Sequence, residues 1–130
     1  MNVLRHLQDA KQEQRKLFSL LIDPDKTGGN ELERTAITAQ NAGVDMFFVG
    51  GSLLVSNSLF DCVQIIKANC DIPVVLFPGD NMQVVPNADA ILLLSVISGR
   101  NAEMLIGKHV VAAPRLKNSG LEIIPTGYML

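Results

Sequence analysis

The chain has 130 residues, of which 48% are hydrophobic, and its 11 basic and 13 acidic side chains leave a formal net charge of -2. This length suits one modest globular domain, and so apolar a composition is not that of a disordered chain. The near balance of charge, without a basic run, argues against nucleic acid as a partner. No apolar run reaches the roughly 18 residues of a membrane-spanning helix, so we expect a cytoplasmic protein without a transmembrane segment.

The N-terminal segment predicts an amphipathic helix. Val3, Leu4, Leu7 and Ala10 recur at helical spacing among polar and charged residues, and this pattern is typical of a helix that buries one face. We expect the helix to cover the bottom of a sheet.

An apolar run of strand length, residues 17–22, ends abruptly at Asp23, and Asp25 and Lys26 follow closely. Parallel α/β folds place working residues at the carboxyl ends of buried strands, because the loops that leave those ends are free of packing constraints. Asp23 is therefore a candidate functional residue. These residues alone leave open that Asp23 and Asp25 are ordinary turn residues and Lys26 a solvated neighbour.

Four further apolar runs follow, at residues 46–49, 74–77, 90–94 and 121–124. Small or polar residues come after each of them, including Gly50-Gly51-Ser52, Pro78-Gly79-Asp80-Asn81, the segment 95–101 and Pro125-Thr126-Gly127-Tyr128. Paired glycines let the backbone approach a ligand closely. Each predicted strand thus ends where a ligand could bind.

Helical segments separate most of these strands. One is predicted to begin at Asn30 as N-cap and to end at Gly43, and another runs from about Ala102 to Ala113. Cys62 and Cys70 share a third; eight helical residues span about 12 Å, beyond disulfide reach, so we expect two buried thiols. About nine residues separate the third and fourth strands, which leaves little room for a helix in that crossover.

Strands that alternate with helices predict a parallel α/β sheet, either open and doubly wound or part of a (β/α)8 TIM barrel. The sequence contains neither GxGxxG nor a P-loop, so the nucleotide-binding motifs of open sheets are missing. The barrel is favoured. Because a complete barrel takes about 250 residues, we expect residues 1–130 to be the N-terminal part of one TIM-barrel domain, with about its first five strands.

Six motifs in order closely resemble the geranylgeranylglyceryl phosphate synthase family, which consists of TIM-barrel prenyltransferases. The motifs are Leu21-Ile22-Asp23-Pro24-Asp25-Lys26, Val49-Gly50-Gly51-Ser52, Phe77-Pro78-Gly79, the segment from Leu94 to Asn101, Ile106-Gly107-Lys108-His109 and Pro125-Thr126-Gly127-Tyr128. Arg100-Asn101 and Tyr128-Met129-Leu130 resemble the subgroup of larger oligomers, so the resemblance implies a homo-oligomer. The family barrel also lacks a regular third helix, which agrees with the short crossover.

The resemblance implies transfer of a geranylgeranyl or longer polyprenyl group from its diphosphate to sn-glycerol 1-phosphate, with Mg2+, to form an ether bond of lipid biosynthesis. Asp23 matches the family's metal ligand, and Ser52 matches a second, weaker oxygen ligand. Thr126, Tyr128 and Arg100 stand where the barrel would present them to substrate.

Purely structural roles stay open as alternatives for several of these residues. Ser52 could be a turn residue, Arg100 a solvated residue at a helix start, and Tyr128 a packing residue. His109 is expected at the surface, or satisfying a helix dipole near a helix end, rather than in catalysis.

The resemblance also implies that the general base and most of the glycerol phosphate site belong to the second half of the barrel, beyond this chain. The activity of these 130 residues alone is therefore an open question. Two other hypotheses remain: a non-catalytic half-barrel assembly module, because a half-barrel exposes strand edges and apolar faces, and a different phosphate-binding TIM-barrel enzyme.

Overall fold

The computed structural model describes residues 2–51, 58–79 and 84–130. Its strands are β1 (Ser19–Ile22), β2 (Met46–Val49), β3 (Val74–Leu76), β4 (Ala90–Val96) and β5 (Glu122–Tyr128). Its helices are α1 (Val3–Gln12), α2 (Gly29–Ala42), α3 (Ser58–Asn69) and α4 (Lys108–Asn118), and a π-helical turn, Glu103–Gly107, leads directly into α4.

The five strands form one sheet in the order β1-β2-β3-β4-β5, and every neighbouring pair is parallel. Sequential parallel order with helical crossovers is the arrangement of a (β/α)8 barrel rather than of a doubly wound sheet, whose strand order reverses. The predicted fold class is confirmed, with five strands present. In the described part of the β3–β4 crossover, residues 77–79 and 84–89, no helix is present, as predicted.

The two faces of the sheet are covered differently. Helices α2, α3 and α4 pack on the outer face, where Phe47, Val74 and Ile91 are fully buried in the larger apolar cluster. The inner face carries a smaller cluster, in which Val3 of α1 packs with strand residues of β3, β4 and β5. Helix α1 therefore covers the amino ends of the strands, as predicted, and leaves the carboxyl ends accessible.

A carboxylate from β5 holds α1 in this position. Glu122 accepts hydrogen bonds from the backbone N–H groups of Val3 (2.7 Å) and Leu4 (2.9 Å), and Asn2 accepts one from Arg5 N–H (2.7 Å). The first N–H groups of a helix lack partners within it, and its dipole favours an anion at that end. Glu122 thus ties the N-terminus of the chain to the last strand described.

We expect Glu122→Ala to lower the free energy of unfolding by about 2 kcal/mol, because it removes two charge-assisted hydrogen bonds. Urea unfolding monitored by circular dichroism measures the change. Glu33→Ala, at an exposed position on α2, is the control and should stay within about 0.5 kcal/mol. An equally small effect at Glu122 would contradict this account of α1.

Two boundaries differ from the sequence prediction at the ends of helices. Asn30 is not the N-cap of α2: the helix begins at Gly29, and its N-cap is Gly28, which has no side chain to accept a hydrogen bond. Gly43 ends α2 in the left-handed conformation at φ 78°, as predicted. Helix α4 continues through Pro114 to Asn118, beyond the predicted end at about Ala113.

The last strand also extends further than predicted, since Pro125 to Tyr128 continue β5 instead of forming a loop. The backbone of Glu122 donates to Asp89 O and that of Tyr128 accepts from Ile97 N, so the even-numbered residues of β5 bond to β4. Pro125 therefore faces the other edge of β5, where its missing N–H breaks no bond of this sheet.

None of the helices in the described ranges combines the length and the apolar character that crossing a bilayer requires.

Candidate functional site

The ends of β1 and β2 bring Asp23 and Gly51 together. In parallel register Ile22 pairs with Val49, so the residues that follow both strands emerge side by side. A Cβ atom placed on Gly51 would lie 2.9 Å from Asp23 Oδ1 and 3.2 Å from Oδ2. The glycine therefore leaves room over the carboxylate that any other residue would fill.

Asp23 is held by its own loop. Its Oδ1 accepts a hydrogen bond from Asp25 N–H (3.0 Å), and its backbone carbonyl accepts from the N–H groups of Lys26 and Thr27. Lys26 Nζ lies 3.9 Å from Oδ2, and 30% of the Asp23 side chain remains accessible. Asp23 and Asp25 do form a turn, which was the open alternative, and the turn presents a partly exposed carboxylate. The strand before it, β1, is an edge strand and not the expected buried strand, because only Ile22 of its four residues is fully buried.

These contacts fit a hard cation such as Mg2+. Mg2+ binds through one or two carboxylates, keeps several waters and takes further oxygens from substrate phosphates. In the ranges described, no group of three or more His, Cys, Asp or Glu side chains is placed to hold a metal, so Asp23 would hold the cation with few protein ligands. The open space beside Gly51 suits such an arrangement. Ser52, the other predicted ligand, lies outside the described residues.

A cleft of about 950 Å³ opens from these strand ends toward α4. At one end it is bounded by Gly50 and Gly51, beside Asp23, and its sheet wall includes Phe77 and Leu94, which pack against the inner-face cluster. Its other wall is the π-helical turn and α4. The lining side chains are mainly apolar, among them Leu21, Phe77, Leu94, Val96, Met104, Val111, Ala112 and Leu130.

Two predicted substrate-binding residues lie on β5 at this end of the sheet. Thr126 pairs with Leu94 and Tyr128 with Val96. Tyr128 lines the cleft, and its ring packs edge-on against Phe77 with the centroids 5.8 Å apart. Thr126 is half-buried and its hydroxyl donates to Ile124 O (2.9 Å). Tyr128 thus has a packing contact and a position on the cleft at the same time.

The third predicted substrate-binding residue, Arg100, lies elsewhere. It is exposed in the loop after β4 and is not among the residues that line the cleft. The cations on the cleft wall are Lys108 and Arg115 of α4. Sequence reasoning did not select either, although Lys108 stands in one of the six motifs.

His109 is also placed differently from the prediction. It lies near a helix end, as the second residue of α4, but it is half-buried and lines the cleft. Its Nε2 atom lies 2.8 Å from Leu94 O, so its partner is a strand carbonyl instead of solvent or a helix dipole.

Cys62, beneath this site, is buried in the outer-face cluster. Burial chiefly, and the negative charge of Asp23 secondarily, raise the pKa of the thiol to about 12. Burial also raises the pKa of Cys70. Both cysteines are free and buried, as the sequence predicted.

We expect neither thiol to react with iodoacetamide at pH 8 in the folded chain, because the thiolate is the reactive form. Unfolding in urea should expose both to rapid alkylation, which mass spectrometry would count. Fast alkylation of the folded chain would contradict the burial of these thiols.

The raised pKa of Cys62 also has a consequence for the free energy of unfolding. The stabilisation that comes from the protonated, buried thiol is complete below pH 9 and is lost as the pH rises from 9 toward 12, since only the unfolded thiol ionises there.

Curated proteins that are similar to this chain share the name of one enzyme. A geranylgeranylglyceryl phosphate synthase of Chitinophaga pinensis is 55% identical over 122 residues, which cover 94% of this chain and 48% of that protein. The protein of that name from Methanosphaera stadtmanae is 37% identical over 130 residues, or 100% of this chain and 53% of the relative. The chain spans about half the length of the curated relatives it matches.

Solved structures agree with the fold. The (S)-3-O-geranylgeranylglyceryl phosphate synthase of Thermoplasma acidophilum, in complex with its substrate sn-glycerol-1-phosphate, superposes with a TM-score of 0.92 at 34% identity, and the match covers 99% of this chain and 52% of that one. The Thermoplasma volcanium enzyme gives a TM-score of 0.80 at 36% identity, over 88% of this chain and 46% of its own. The model of the PcrB family matches residues 9–130, and the chain therefore belongs to the PcrB family.

Proposed function

We propose that this chain provides the prenyl-donor site of a prenyltransferase, which moves a geranylgeranyl or longer polyprenyl group from its diphosphate to sn-glycerol 1-phosphate. The observation that carries the proposal is the juxtaposition of a carboxylate with a long apolar cleft. The carboxylate of Asp23 touches the space over Gly51, and Gly51 bounds the cleft. A polyprenyl diphosphate has the matching form, with a charged head and an apolar tail.

The head of the donor would lie at Asp23. Diphosphate leaves readily only when its negative charge is compensated, and Mg2+ supplies that compensation as a Lewis acid when it is bound between a carboxylate and phosphate oxygens. Asp23 offers the carboxylate. Lys26, 3.9 Å from it and 83% exposed in its side chain, is near enough to pair with a phosphate oxygen instead.

The tail of the donor would lie along the cleft. Each buried methylene stabilises binding by up to about 0.8 kcal/mol, so a cleft of about 950 Å³ lined by aliphatic residues offers a strong preference for a long apolar chain. A small phosphate ester or a nucleotide would leave most of this lining exposed. This argument favours the prenyl donor over the substrates of other phosphate-binding barrel enzymes.

The reaction breaks the bond between the allylic carbon and the diphosphate oxygen, and the electron pair leaves with diphosphate. The glycerol hydroxyl oxygen forms the new ether bond to that carbon, and its proton passes to a base. The names of the relatives and the substrate in the Thermoplasma acidophilum complex support sn-glycerol 1-phosphate as acceptor. Tyr128, at the end of β5, is a candidate contact for it.

A transfer assay tests the proposal. The chain would be incubated with labelled sn-glycerol 1-phosphate, Mg2+ and polyprenyl diphosphates of increasing length, and the ether product would be extracted into organic solvent. We expect product that requires Mg2+, from the chain alone or from the chain combined with a separately expressed second half of the Chitinophaga pinensis relative. No product from either preparation would contradict the proposal.

A second candidate function is an assembly module in which two copies pair. The observation that favours it is Leu21, which lies on the inner face of the edge strand β1 with 59% of its surface exposed. A large exposed aliphatic residue on an open sheet edge favours association. Sedimentation velocity, together with the transfer assay, distinguishes the outcomes. A dimer or larger oligomer without Mg2+-dependent transfer would favour the module. An oligomer with transfer activity would agree with both proposals.

A further inference from the structure

Strand β4 extends beyond its neighbour β3. The backbone N–H and C=O groups of the extra length need hydrogen-bond partners other than β3. β3 pairs with β4 only at Val75 with Ala90 and at Leu76 with Ile91. Ile97 N–H donates to Tyr128 O, and Glu122 N–H donates to Asp89 O, so the odd-numbered residues of β4 bond to β5. The even-numbered residues, including Leu94, therefore point their backbone groups toward β3, past the end of that strand.

His109 is the partner of one of these groups. Its Nε2 lies 2.8 Å from Leu94 O, and a carbonyl oxygen can only accept, so Nε2 carries the proton and donates. A side chain of α4 thus takes the place that a longer β3 would occupy. The bond joins the sheet wall of the cleft to its helical wall.

Neither the π-helical turn nor the first four residues of α4 contribute a fully buried side chain to the core. The π-helical turn contains no fully buried residue, and the buried side chains of α4, Ala112 and Leu116, both come after His109. The cleft is lined on one side by the segment before and around His109, and on the other by Leu94. This hydrogen bond is one of the contacts that hold the two walls at their observed separation.

We propose that His109 is a positioning residue that sets the width of the cleft and so its selectivity for the length of the prenyl tail. This inference rests on the proposed function. Dispersion contacts fall by a quarter to a half when a gap of about 0.5–1 Å opens. If α4 moved away from β4, the distal part of a long tail would lose its contacts, while the diphosphate head at Asp23 would be unaffected.

The test compares three variants of His109. His109→Gln keeps an N–H donor at the reach of Nε2, whereas His109→Asn is polar but too short, and His109→Leu is apolar. Isothermal titration with Mg2+ measures the affinities for geranylgeranyl diphosphate and for farnesyl diphosphate, which is one isoprene unit shorter. Their ratio is the readout, because a purely structural loss would lower the unfolding temperature without changing tail selectivity.

We expect the wild-type chain to bind the longer donor about tenfold more tightly. The ratio should fall to about threefold or less in His109→Asn and His109→Leu and stay within about twofold of wild type in His109→Gln, as expected if one hydrogen bond is responsible. An unchanged ratio in His109→Asn and His109→Leu, with the wild type binding, would overturn the role of His109 alone. A wild-type chain that binds neither donor would overturn the proposed function and this inference with it.

Discussion

We expect Gly50→Ala to prevent the chain from folding or to lower its free energy of unfolding by more than about 4 kcal/mol. A Cβ atom on Gly50 would meet the backbone carbonyl of Phe77, with its oxygen at 1.8 Å and its carbon at 2.8 Å. Backbone atoms cannot rotate away as a side chain can. Phe77 N–H also donates to Val49 O, and Gly50 N–H to Ile22 O, so any relief of the clash would break pairing in the middle of the sheet.

Gly99→Ala is the matched control for this substitution. A Cβ atom placed on Gly99 would have no neighbouring atom within 4 Å, and the residue lies in the exposed loop after β4, so we expect a change within about 0.5 kcal/mol. Urea unfolding followed by far-ultraviolet circular dichroism compares the two. A Gly50→Ala chain with a midpoint like that of Gly99→Ala would show that β2 and β3 do not approach as closely as described.

The second large effect is expected at Asp23. Asp23→Asn should weaken Mg2+-dependent binding of a polyprenyl diphosphate by about a hundredfold, because the neutral amide no longer attracts the cation, and it should abolish transfer in an active preparation. The fold should persist, since an amide oxygen can still accept the hydrogen bond from Asp25 N–H. Titration calorimetry with and without Mg2+ measures the loss.

Asp9→Asn controls for the removal of one negative charge. Asp9 lies on α1, which covers the opposite end of the strands, and its only described ion pair is an exposed one with Arg5 at 4.0 Å. We expect its Mg2+-dependent affinity to match that of the wild type. Unchanged affinity in Asp23→Asn as well would remove Asp23 from the metal site.

Much of the fold follows from local patterns in the sequence. The run Met46–Val49 forms β2 with the predicted bounds, because four consecutive apolar residues before paired glycines have few alternatives to a buried strand. Gly43 ends α2 because glycine readily adopts the left-handed conformation of a helix C-cap. Asp23 could be found because a charged residue directly after an apolar run of strand length marks the carboxyl end of that strand.

The misjudged elements depend on tertiary contacts. Nothing local reveals that Pro125 faces an unpaired edge, so proline suggested the end of a strand that in fact continues. The length of α4 was underestimated for a similar reason, since Leu116, beyond Pro114, is held in the core and this packing outweighs the break that proline favours.

The cleft itself could not be predicted from the sequence. Its helical wall consists of residues such as Met104 and Val111, which have the same apolar character as core residues and lack any distinguishing motif. They form a cleft wall because α4 and the carboxyl ends of the strands, which are distant in the sequence, lie on opposite sides of the same space. His109 was misjudged for the same reason, because its partner, Leu94 O, is 15 residues earlier in the chain.

Residue-resolved NMR of the chain titrated with geranylgeranyl diphosphate, in the presence and absence of Mg2+, tests the central claim most directly. We expect the amide shifts of Asp23, Gly51 and Lys26 to move only with Mg2+, and those of Leu94 and Val111 on the cleft walls to move in the same titration. Shifts confined to a second surface depression, between α2 and β1 around Leu20, Arg34 and Thr38, would contradict the assignment of the prenyl-donor site. The absence of any Mg2+-dependent shift at Asp23 would contradict it as well.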